Sequence, residues 1–223
     1  MSTTSIRTVP ATRAARFASR PRLLPGLTVA AVAIAAAVAG ATLLPNVADG
    51  TPMATMTHYM GLLAANQPWN LLLFMAVPVA LAETVAVTEL GLLFSPSLPR
   101  PWRLLNRYAG MVLGVYFLVV FGYLLAHAVV PLTTGGGWRG PADVIAVGAY
   151  LAGVVPLGGI AALELGLLGR NLDARGRQRL HALFVGVFLV VAHVAMIAGM
   201  LDPAVLGWDA RAASPSMPGM SHG

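Results

Sequence analysis

The chain contains no cysteine and no lysine, and charge of either sign is scarce. Without cysteine, disulfides, thiolate metal sites and thiol redox chemistry are excluded. Only 10% of its 223 residues are charged, where a soluble domain carries roughly a quarter. No phosphate-binding loop or soluble catalytic motif is visible, so coupling to ATP is not expected and the balance is against an enzyme. What fills the space is apolar: 57% hydrophobic residues and a mean hydropathy of +0.77. That composition belongs to an all-α polytopic membrane protein embedded in a lipid bilayer.

The fourteen positive residues, all arginines, sit mostly in blocks beside apolar runs. A nucleic-acid surface would need a basic domain outside those runs, and none is present, so no nucleic-acid partner is expected. Five runs approach or exceed the ~17–25 residues that cross a bilayer: Leu23–Leu44, Pro68–Phe94, Tyr108–Val130, Val144–Leu168 and Ala182–Leu201. Arg7, Arg13, Arg16, Arg20 and Arg22 precede the first. Arg100, Arg103 and Arg107 follow the second, and Arg170, Arg175, Arg177 and Arg179 follow the fourth. Only Arg139 and Arg211 lie on the other side. This asymmetry predicts a cytoplasmic N-terminus and an outer C-terminus. Trp69, Trp102, Trp138 and Trp208 all fall near span ends, as an interfacial belt requires.

Residues 1–52 read as a basic N-terminus with either a retained signal anchor or a cleaved signal peptide, giving five spans or four. Met53 or Met56 would also serve as the start of a self-sufficient four-span chain. Residues 53–208 form the membrane domain, and 209–223 an extracytoplasmic tail expected to be disordered. Within the membrane domain the sequence repeats, over about 68–138 and 141–208. Glu89-Leu90-Gly91-Leu92-Leu93 matches Glu164-Leu165-Gly166-Leu167-Leu168. In the next span of each half, Arg107, Gly114, Val115 and Pro131 align without a gap to Arg179, Gly186, Val187 and Pro203. A duplicated helical hairpin is therefore expected, an architecture that places transporter sites between halves. Gly110 and Gly114 form a GxxxG for close packing, and Pro78 and Pro156 interrupt their helices, freeing carbonyls.

Three glutamates lie inside these runs, where charge is costly and usually functional. At ~1.5 Å per residue, Glu83 sits roughly 22 Å below the outer start of its span, while Glu89 and Glu164 lie about 30 Å down, near the inner interface. There they have loop arginines within reach, which favours a structural role, and Glu83 stands out as the protonation or transport candidate. His193 is near mid-membrane, with Met196 and Met200 on the same helix face, and His127 lies near the outer end of its span. Methionine thioethers suit soft Cu(I), so copper is a candidate cofactor at His127, His193, Met196 and Met200 and in the tail through Met217, Met220 and His222. Methionines on helix faces are otherwise packing residues.

His58-Tyr59-Met60, Asn66-Gln67-Pro68-Trp69-Asn70, Ala82-Glu83-Thr84, Thr88-Glu89-Leu90, Leu163-Glu164-Leu165 and Gly199-Met200-Leu201-Asp202-Pro203 carry a likeness. From about Met56 to Leu206 the chain resembles a family of small bacterial membrane proteins often labelled permease. The resemblance implies a membrane protein and, by its label, transport. Three functions stay open: a permease or ion-handling transporter, an accessory subunit gripping a partner subunit or a second copy, and an intramembrane metal or haem redox protein using His127 and His193.

Overall fold

The computed structural model describes residues 55–95 and 97–209, together with Ala35. The expected first span, Ala35 apart, and the Met/His tail with Met217, Met220 and His222 lie outside the described residues. Among those described every regular element is helical: α1 (His58–Ala64), α2 (Trp69–Phe94), α3 (Arg100–Thr134), α4 (Gly140–Glu164), α5 (Ala174–Met200) and a closing 3-10 turn, Pro203–Leu206. Helices α2 to α5 have 26, 35, 25 and 27 residues and are apolar enough to cross a membrane. At ~1.5 Å per residue even α4 reaches about 38 Å, beyond the ~30 Å hydrocarbon core.

The helices overrun the apolar segments at the arginine-rich end, because helix formation does not stop where hydrocarbon does. α3 begins at Arg100, eight residues before the expected Tyr108, with Pro101 in its first turn, where a missing N–H costs nothing. α5 begins at Ala174 and not Ala182, capped by Asp173, whose carboxylate accepts from the Gly176 N–H at 2.8 Å. α4 instead ends early, at Glu164 and not Leu168. Gly166 and Gly169 adopt left-handed φ of +70° and +68°, a conformation that ends helices and that glycine enters without a Cβ penalty.

α2 packs on α3, α3 on the second half of α4, α4 on α5, and α5 meets α2 over a short stretch that closes the bundle. α3 and α4 are central: 44% and 50% of their apolar windows are buried, against 28% for α2 and for α5. The peripheral pair therefore presents most of its surface to lipid. Small residues permit the tight contacts. A Cβ on Gly114 would lie 2.5 Å from Ala161 Cβ and 2.7 Å from the Leu157 carbonyl, and one on Gly110 2.8 Å from Ile160. The GxxxG thus seats α3 against α4, where van der Waals packing drives association. Gly159 likewise admits the Phe184 ring of α5, which would lie 2.6 Å from a Cβ placed there.

The prolines have partners. Pro78 cannot donate to the turn before it, and α2 opens into a π-turn at Leu72–Ala76. The two carbonyls exposed there are taken by phenols: Tyr116 of α3 donates to Leu73 at 2.8 Å and Tyr150 of α4 to Phe74 at 2.6 Å. α3 has a second π-turn, Leu125–Val129, ahead of Pro131. α4 breaks at Gly153, three residues before Pro156, with the Phe117 ring 3.3 Å from where a Cβ would stand.

Candidate functional site

The densest polar cluster lies at the arginine-rich end. One stripe of α2, Val85, Thr88 and Glu89, is buried and faces Asn106 of α3. Thr88 Oγ1 donates back to the Thr84 carbonyl at 2.6 Å and accepts from Asn106 Nδ2 at 2.9 Å. The same amide nitrogen lies 3.2 Å from the Val85 carbonyl and 3.4 Å from Glu89 Oε2. From α5, His181 Nδ1 stands 2.9 Å from Glu89 Oε2, and its Nε2 3.7 Å from Glu164 Oε1. Glu89 and His181 are each 4% exposed. The ring is in ion-pair range of both carboxylates but not in line with either. Both imidazole nitrogens and Glu89 Oε1 are left without a hydrogen-bond partner.

Glu89, Asn106, His181 and Glu164 line a cavity of about 410 Å³ that reaches the arginines of this end. Gln178 stands opposite Asn106 in the gapless alignment of α5 with α3, Glu164 matches Glu89 in the repeated pentapeptide, and all four residues line it. Glu164 is the rim member. Its carboxylate is 3.6 Å from Arg107 Nε, with 21% of its side chain exposed. The last carbonyls of α4 are capped by guanidiniums, Arg177 on Leu163 at 2.7 Å and Arg107 on Glu164 at 3.2 Å, which is where a helix dipole favours cations.

A second cavity, about 330 Å³, lies halfway along the bundle between α2 and α5. Glu83 and His193 both line it, with Met196 and a floor that includes Phe117 and Tyr150. His193 Nδ1 is 2.6 Å from the Leu189 carbonyl of its own helix; that oxygen can only accept, so Nδ1 carries the proton. Among the described residues no side chain bonds to Glu83. Tyr59 of α1 also lines this cavity, and burial pushes its phenol up to about 12, keeping it neutral.

The third centre, at the opposite end, was not anticipated. Asp143, in the first turn of α4, is wholly buried. Its Oδ1 accepts from the His58 N–H at 2.6 Å, its Oδ2 accepts from the Arg139 N–H at 3.1 Å, and His58 Nδ1 stands 2.6 Å from Oδ2. Arg139 also donates to the Met56 carbonyl, and Thr57 to that of Gly199 at 2.7 Å. α1 is thereby tied to α4 and α5. The one local cue was an aspartate in the first turn of a span, a favourable dipole position.

Of the other expected site residues, His127 sits in the π-turn of α3, stacked on Tyr123 with ring centroids 4.6 Å apart, and does not line the cavity of His193. Met200 also lies outside that lining, 72% exposed. Among the described residues no set of three or more His, Asp or Glu converges in metal-binding geometry, the trio of Glu89, His181 and Glu164 included.

Four apolar spans enclosing carboxyl and imidazole groups define an integral membrane protein. The chain belongs to a family of unknown function (DUF6803), whose model matches residues 53–215. No curated protein and no solved structure matches it. The matched region takes in all four described spans and leaves out the arginine-rich N-terminal region and Met217, Met220 and His222.

Proposed function

We infer that the chain is a proton-handling membrane transport protein, its arginine-rich end facing the cytoplasm of a bacterial cell. The observation that carries this is the buried pair Glu89–His181, whose three unpartnered polar atoms border a cavity at that end. A buried polar atom without a partner costs about 1–3 kcal/mol, and such groups call for an explanation. An exchangeable proton supplies one. With the ring neutral, only one of the two nitrogens can donate. With the proton gained, both N–H groups face carboxylates, Glu89 on one side and Glu164 on the other. Small rotations of the ring or carboxylates would then align the bonds. Glu83 and His193 extend the polar groups to mid-span.

The test is proton flux in liposomes holding the purified chain and an internal pH dye. Wild type is expected to dissipate an imposed gradient, and Glu89→Gln to slow it at least tenfold. Equal rates, or no flux above empty liposomes, would end this reading. The accessory-subunit alternative draws on one feature: Glu83 and His193 are exposed at the same α2–α5 opening, where a partner helix could grip them. It requires a stoichiometric partner on purification.

A further inference from the structure

We propose that the mid-span cavity binds a lipophilic organic cation, an ammonium carrying aromatic or alkyl substituents, that enters from the bilayer between α2 and α5. The proposal names a substrate class for the transport reading and rests on it for biological sense, but binding is measured without flux.

The charge pattern comes first. Although the chain has fourteen arginines, none among the described residues lines this cavity, and the one charged group in its lining is the Glu83 carboxyl. His193 adds no positive charge while neutral. Its Nδ1–H is committed to Leu189, which leaves the Nε2 lone pair as an acceptor. A carboxylate and a lone pair without a guanidinium nearby attract a cation and repel an anion.

The walls then select its type. Tyr59, Tyr150 and Phe117 form a continuous row, with successive ring centroids 5.2 Å apart and planes tilted by 42°. Aromatic faces attract cations, and cages of such rings recognise quaternary ammonium groups. The Tyr150 hydroxyl is already spent on the Phe74 carbonyl, so its ring offers an apolar body and no spare oxygen. A sodium or divalent ion needs several oxygen ligands, and one carboxylate is a poor set. An ammonium whose charge is screened by hydrocarbon fits instead. The volume, about 330 Å³, is at the small end of ~300–1,000 Å³ ligand pockets.

The route follows from the bundle. α2 and α5 share the shortest contact among neighbouring spans, and the rim residues Val79 and Met196 are 42% and 40% exposed. That opening lies within the spanning segments, so it faces acyl chains, where amphipathic cations concentrate.

The test uses the full chain in detergent with radiolabelled benzyltrimethylammonium in equilibrium dialysis. Saturable binding is expected, unaffected by sodium or by neopentylbenzene, the neutral isostere, and weakened at least tenfold in Glu83→Gln but not in Glu83→Asp. Should Glu83→Gln fail to fold, modification of wild-type Glu83 by dicyclohexylcarbodiimide, located by mass spectrometry, replaces it. The cation is then expected to protect and neopentylbenzene not to. No saturable binding, unchanged binding in Glu83→Gln, or equal competition or protection by neopentylbenzene would overturn the proposal. Binding without proton flux removes only the transport reading, whereas flux without binding removes only this one.

Discussion

The two copies of Glu-Leu-Gly-Leu-Leu have the same sequence and different structures. In the first, residues 89–93 continue the helix α2, and Glu89 is buried against Asn106 and His181. In the second, the helix α4 stops at its glutamate, Gly166 turns left-handed, and arginines cap the exposed carbonyls. Identical pentapeptides therefore produce one interior carboxyl and one rim carboxyl. The difference comes from the residues C-terminal to each copy. The second meets Gly169, also left-handed, and the Asp173 cap of α5 within a few residues. The first runs on to Phe94 and turns only at Ser95. The two copies of the pentapeptide thus supply two carboxyls to one cavity, and these differ in burial.

That comparison can be broken experimentally. Glu89→Ala is expected to have the largest effect, a loss of about 3 kcal/mol, because it leaves His181 buried without its closest carboxylate. Unfolding in mild detergent would measure it, and a loss below that of Glu164→Gln would invalidate the interior–rim distinction. Gly166→Ala should cost about 1–2 kcal/mol, since its left-handed φ strains any side chain. Glu164→Gln, at a partly solvated pair, should cost ~0–1 kcal/mol, and less as salt rises. Gly91→Ala is the smallest and runs the other way. Gly91 is helical, where alanine gains about 0.5–1 kcal/mol, and the new Cβ presses on the flexible end of Leu98, at 3.2 Å, and meets the Trp102 ring at an ordinary 3.9 Å. Equal signs for Gly91→Ala and Gly166→Ala would show that the two copies are built alike.

Much of the architecture was legible because spans are written in bulk properties. Long apolar runs gave the four described helices, the tryptophans fall near their ends, and Gly110 and Gly114 pack as a GxxxG should. The cavity shared by Glu83 and His193 was legible only as a match in depth, since sequence gives height along a helix and not rotation. α2 is apolar nearly all round, so nothing local marks the stripe Val85–Thr88–Glu89 as the inward one. The expectation of arginine pairing suited Glu164, whose partner is Arg107, but Glu89 turns inward to a histidine. The His58–Asp143 link joins residues 85 apart, and no local pattern could announce it. Helix ends were misplaced where arginine-rich segments stayed helical and where glycine stopped α4 early.

The phenols that occupy the carbonyls before Pro78 tie three helices to one point, since Tyr116 comes from α3, Tyr150 from α4 and the carbonyls from α2. Such a joint acts as a clutch. While both hydroxyls are engaged, α2 cannot rotate about its axis without giving up two bonds at once. Only release of both phenols would free that helix to swing the half that carries Glu83 and Glu89 together. On the proton-handling reading proposed above, a turn of α2 that carried these two carboxyls would have to break this joint first, at a proline with no charge of its own.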